Sequence, residues 1–99
     1  MSVRVIRRVL IRGRVQGVGY RDWTRHVARD RGIEGWVRNR KDGSVEALFA
    51  GTPDAIAGMI AACRNGPPSA MVEAIEELEA TEAELAWREG RIFPILHTA

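Results

Sequence analysis

Val3, Val5, Val9 and Ile11 share the odd-numbered positions of the first stretch of chain, interleaved with Arg4, Arg8 and Arg12. That period of two predicts a strand over about 3–12 with one face against a core. Gly13-Arg14-Val15-Gln16-Gly17-Val18-Gly19-Tyr20 follows. Its three glycines exclude regular structure and predict a loop that tolerates positive φ and close backbone approach. Tyr20, Trp23 and Val27 then fall at helical spacing over about 21–31, and Gly32 stands where a left-handed C-terminal cap belongs. Residues 35–40 and 44–50 read as a hairpin across Lys41-Asp42-Gly43. Thr52-Pro53-Asp54 supplies an N-cap, a first-turn proline and a first-turn acid for a helix to about Cys63, stopped by Gly66-Pro67-Pro68.

The stretch from Met71 to Arg88 is dominated by Ala and Glu, and intrinsic propensity alone reads it as helix. The order strand, helix, strand, strand, helix argues otherwise, because one more strand completes a split βαβ arrangement. Val72, Ile75 and Leu78 then serve a strand over 71–79 that contains a bulge. The Glu-rich run 73–84 reads as a solvated strand edge and loop, with Trp87 in a charged loop. Arg91 to His97 reads as a short final strand, held to a sheet edge by Pro94. The expected architecture is an α+β two-layer sandwich, β-α-β-β-α-β plus a short C-terminal edge strand, with an antiparallel or mixed sheet carrying two helices on one face.

Composition narrows the class. Ninety-nine residues with 45% hydrophobic and 28% charged side chains suit one globular domain over 1–99 and exclude a disordered or fibrous chain. The longest uncharged stretch, Ala55 to Cys63, is nine residues, too short to cross a bilayer. The N-terminus shows no signal-peptide pattern, so the cytoplasm is the expected compartment. A single cysteine, Cys63, fits a reducing environment and has no second thiol for zinc.

Charge is unevenly spread: residues 1–41 carry eleven Arg and one Lys against three acids, and residues 42–99 carry three Arg against ten acids. The basic half suggests an anionic partner, while the plain alternative is that the two halves pair with each other. A strand entering a glycine-rich loop and then a helix presents amide N–H groups at a positive helix end, a geometry that favours phosphate. Arg21, on the first turn, could grip two phosphate oxygens with its planar fork. The spacing fits neither a Walker loop nor a dinucleotide fingerprint.

Gly13-Arg14-Val15-Gln16-Gly17-Val18-Gly19-Tyr20-Arg21, then Gly35-Trp36-Val37-Arg38-Asn39-Arg40 and Asp42-Gly43-Ser44-Val45-Glu46, resembles the acylphosphatase family. The resemblance extends more weakly through Gly51, Cys63 and Gly66-Pro67. It implies a ferredoxin-like sheet of order 4-1-3-2 with a fifth strand at the edge. It also implies hydrolysis of the carboxyl–phosphate bond of acylphosphates without metal or organic cofactor. Two essential residues map onto Arg21 and Asn39. The amides of Val15, Gln16, Gly17, Val18, Gly19 and Tyr20 would hold the phosphoryl group with Arg21, and the Asn39 amide would hold the attacking water. Inorganic phosphate is then the product and an expected inhibitor, and a monomer is expected. Tyr20 stands where the family usually has Phe, Arg40 where some relatives have Thr, and Glu76-Glu77 where relatives often place an apolar residue.

Other candidates carry plainer readings. Asp22 in a first helical turn is favoured by the helix dipole without any catalytic duty. His26 and His97 form no metal motif. Cys63 on an apolar helix reads as core, as do Trp23 and Trp36. Two further functions remain open. One is a nucleic-acid-binding module, favoured by the basic half and disfavoured by the lack of an aromatic-rich RNA-recognition signature. The other is a non-catalytic ferredoxin-like module, such as the acylphosphatase-like segment of hydrogenase-maturation carbamoyltransferases; were the chain full length, its end at Ala99 would argue against that reading.

Overall fold

The computed structural model describes residues 3–99. Its elements are β1 (Val5–Arg14), α1 (Tyr20–Asp30), β2 (Glu34–Asn39), β3 (Val45–Gly51), α2 (Pro53–Asn65), β4 (Met71–Glu79), α3 (Glu82–Leu85) and a 3-10 turn at Ala86–Arg88. The sheet runs β2-β3-β1-β4 with every neighbouring pair antiparallel. Read from the other edge this is the expected 4-1-3-2. Val9 and Ile11 of β1, Val37 of β2 and Val45, Ala47 and Phe49 of β3 form one buried cluster with Tyr20 and Ala28 of α1 and Ile56, Met59 and Cys63 of α2. Both long helices therefore cover the same face of the sheet. Thr52 caps α2 as its sequence predicts, its hydroxyl accepting from the Ala55 amide at 3.2 Å.

Tertiary pairing overrides helix propensity along β4. Arg12 pairs with Ala74 and Gly13 with Val72, so Glu73 is the extra residue of a bulge. Val72 and Ile75 are three positions apart and would point to opposite faces of a regular strand. The bulge brings both onto the helix-covered core. Glu76 and Glu77 remain exposed and the register passes through them unbroken. Beside them lie the arginines of β1, and Arg12 reaches Glu76 at 3.9 Å. Among the described residues, every ion pair except Arg25–Asp22 joins the basic half of the chain to the acidic half. Mutual pairing, the plainer expectation, thus accounts for much of the charge asymmetry.

Two expectations need correction. The segment 91–97 is no strand: its ladder contact is a single parallel bridge, Val37 to Ile95. It does lie along β2, accepting from Gly35 N–H at Ile92 O and from Val37 N–H at Pro94 O, and donating from Leu96 N–H to Val37 O. Pro94 has no N–H to continue a ladder. The run 82–88 is no loop either. Thr81 and Glu84 form a reciprocal capping box that opens α3, and Leu85 packs with Trp36, Leu48 and Ala50 on the sheet face opposite the long helices. Trp87 stacks on Trp36 there, ring centroids 5.5 Å apart. The Thr-x-x-Glu spacing was the available signal.

Candidate active site

Gly17 and Gly19 both have positive φ, 75° and 80°, in the loop between β1 and α1. A side chain at either position would strain the backbone even though an added Cβ meets no atom within 4 Å. Gly19 is the N-cap of α1 and contributes no side-chain cap; the first helical bond is Trp23 N–H to Gly19 O at 3.0 Å. The amides of residues 20–22 are consequently the unpaired donors at the positive end of the helix. Val15, Gly17, Gly19, Tyr20, Arg21, Asp22, Asn39 and Ile95 line a cavity of about 200 Å³ at that end.

Arg21 and Asn39 thus face one space. Arg21 makes no ion pair among the described residues, whereas most arginines of β1 and β2 are paired. The Asn39 Oδ1 atom is buried with no hydrogen-bond partner. Gln16 and Val18 do not line the cavity. The Gln16 side-chain amide turns away to donate to Arg40 O at 2.8 Å and Ser44 O at 2.9 Å, tying the loop to the β2–β3 turn. Asp42 braces that turn by accepting from the Ser44 hydroxyl at 2.6 Å and the Ser44 amide at 2.9 Å. Those two bonds, with Arg40 and Arg12 nearby, hold the Asp42 carboxyl below the usual range. Asp22 is exposed and paired with Arg25 on its own helix.

Tyr20 anchors the first turn of α1. Its buried hydroxyl donates to Cys63 O at 2.6 Å. Burial, with the Cys63 thiol beside it, pushes the phenol well above its usual value. Burial also pushes the Cys63 thiol up to about 12, so it is a core residue and not a nucleophile. Trp36 is fully buried, Trp23 half-buried, and His26 and His97 are exposed. No cluster of three or more His, Cys, Asp or Glu suited to a metal ion occurs among the described residues. No helix among them is long and apolar enough to cross a membrane.

Two features escaped sequence reasoning. Ile95 reaches the cavity because the C-terminal segment lies beside β2, a placement no local pattern announces. It also borders a larger hollow of about 630 Å³, lined by Arg38, Trp87 and Arg91, which contains neither Arg21 nor Asn39. Glu46 is the second. Its side chain is 0% exposed and accepts from Arg38 Nε at 2.6 Å and Arg8 Nη1 at 3.0 Å, with Arg40 Nη1 at 3.5 Å. Its signals were an acid inside an otherwise apolar strand and a place in the motif Asp42-Gly43-Ser44-Val45-Glu46, neither of which named its partners.

Known proteins resemble this chain in sequence and in fold. Residues 7–89 match the family model described as Acylphosphatase. The chain is 55% identical over 96 residues to an acylphosphatase of Bradyrhizobium diazoefficiens, covering 96% of this chain and 97% of that protein. It is 57% identical over 95 residues to an acylphosphatase of Nitrobacter hamburgensis, covering 95% and 96%. The crystal structure of acylphosphatase from Bacillus subtilis superposes with a TM-score of 0.77 at 34% identity, over 93% of this chain and 98% of that one. Sequence and backbone agree along nearly the whole length, and the chain belongs to the acylphosphatase family.

Proposed function

We propose that this acylphosphatase holds the phosphoryl group of its substrate with Arg21 and the amides of the 15–20 loop while Asn39 orients the attacking water. One observation carries the assignment: Arg21 and Asn39, eighteen residues apart in sequence, line the same small cavity as the glycines of the loop. The substrate is a small-molecule acylphosphate, a mixed anhydride whose carboxylate leaves readily, so positioning and charge stabilisation suffice without a general acid. Water attacks phosphorus opposite the leaving carboxylate. The phosphorus–oxygen bond to the carboxylate breaks with its electron pair, and a phosphate oxygen takes the water proton, giving carboxylate and inorganic phosphate. The guanidinium fork and the helix-end amides meet the charge that develops on the phosphoryl oxygens. The unpartnered Asn39 Oδ1 is an acceptor suited to a water hydrogen.

On this reading inorganic phosphate competes with substrate and raises stability by about 2.7 kcal/mol at a hundredfold excess over its Kd. Residues 1–99 act as one domain, a cytoplasmic monomer; the lone buried Cys63 suits that compartment. Calorimetric titration with phosphate tests the two roles. Arg21→Ala loses turnover and phosphate binding together. Asn39→Ala loses turnover but keeps nearly parental phosphate affinity, and Asn39→Asp binds more weakly because a carboxylate then faces the anion. Loss of affinity in Asn39→Ala as severe as in Arg21→Ala makes Asn39 a phosphate ligand or loop support and withdraws the water-positioning role.

A further inference from the structure

Asn39 carries its buried Oδ1 without a partner, so no hydrogen bond to that atom aims its side chain. Its backbone is held instead. Arg38, on the opposite face of β2, and Arg40, just past the end of that strand, converge on one carboxylate, Glu46, directly across the ladder from Arg38. Glu46 is wholly buried, Arg38 Nε bonds its Oε1 at 2.6 Å, and Arg40 Nη1 approaches the same oxygen at 3.5 Å. Arg8 of β1 donates to the other oxygen at 3.0 Å.

From this clamp we infer that Glu46 is a positioning residue for the hydrolysis: by holding the residues on both sides of Asn39 it fixes the peptide planes that aim the Asn39 amide into the cavity. A buried, charge-assisted contact gives one narrow geometry, where apolar packing at the end of a strand would leave several. Misplacement of a catalytic group by about 1 Å can slow a positioning-dependent reaction by about a hundredfold. The inference rests on Asn39 orienting water.

The test is Glu46→Gln, close in volume, assayed with acetyl phosphate well below its melting temperature and titrated with inorganic phosphate. A fall in kcat of about tenfold or more with phosphate Kd within about twofold of the parent is expected, since Arg21 and the loop are untouched. In an Asn39→Ala background the same substitution should cost no further activity, because the group it positions is gone. Unchanged kcat overturns the inference. Equal losses in kcat and phosphate affinity overturn it as well, since they mark a general loosening of the fold. So does an additive loss in the Asn39→Ala background, which places the effect elsewhere. If Glu46→Gln does not fold, Arg38→Gln, which cuts the shorter arm, is judged by the same criteria. Retention of parental kcat by Asn39→Ala alone removes the water-positioning reading, and the positioning role with it; a normal Asn39→Ala defect with an inert Glu46→Gln removes the positioning role only.

Discussion

Gln16 offers a quantitative check on how the phosphate loop is held. Replacing it with Met keeps length and volume but deletes the two donors that reach Arg40 O at 2.8 Å and Ser44 O at 2.9 Å. Each neutral bond contributes about 0.5–1.5 kcal/mol net. Neither carbonyl is orphaned, because Arg40 O still accepts from Gly43 N–H at 3.1 Å and Ser44 O from Arg40 N–H at 2.9 Å. No full penalty for a stranded acceptor is added, so the expected loss is about 1.5 kcal/mol. At this chain length that lowers the melting temperature by roughly 6–12 °C. Urea unfolding gives the free energy directly, with an unchanged slope showing that the same surface is exposed. Phosphate affinity should weaken by several-fold, since a loop no longer tied to the β2–β3 turn must be ordered on binding. A parental urea midpoint refutes the brace. Loss of phosphate affinity beyond about a hundredfold with stability intact would make the Gln16 side chain a ligand in its own right.

Arg21→Lys should lose about a hundredfold or more in kcat/KM, nearly as much as Arg21→Ala, because a point charge cannot reproduce the planar two-oxygen grip; steady-state kinetics within about threefold of the parent would show that charge alone matters. Gly19→Ala should cost about 1–2 kcal/mol in urea unfolding from left-handed strain alone, since its new methyl meets no neighbour within 4 Å; an unchanged midpoint would mean that the loop relaxes freely. Tyr20 and Cys63 ionise near 10.0 and 9.0 when exposed but are held protonated by burial in the folded chain. The unfolded state therefore binds fewer protons as pH rises through that range, so stability is intact below about pH 9 and falls above it. Urea midpoints measured up to about pH 11 should fall, less steeply in Cys63→Ala, and a flat profile refutes the linkage.

Local chemistry made much of the chain legible. Alternation along β1, the Thr52-Pro53 opening of α2 and the glycines before Tyr20 act over a few residues; the last two appear where their pattern put them, and the first strand runs Val5–Arg14 instead of 3–12, leaving Val3 exposed. The motif around Gly17 and the one around Asn39 announced the two sides of the cavity, though only the pairing of β1 with β3 and β3 with β2 brought them together. The rest depends on partners distant in sequence, and of it the order of elements alone, against local propensity, called for the strand over 71–79 with its bulge. Met71–Glu79 becomes a strand because β1 supplies its hydrogen bonds and the Gly13–Val72 bulge turns two apolar residues inward, gains that outweigh an Ala- and Glu-rich helix propensity of a few tenths of a kcal/mol per residue. Glu46 is tolerable inside the protein only because Arg8, Arg38 and Arg40 arrive from β1 and from the end of β2, and nothing in Val45-Glu46-Ala47 foretells them. The C-terminal segment settles beside β2 with Ile95 at the cavity because the strand edge offers N–H and C=O groups that need partners, a demand set by the finished sheet.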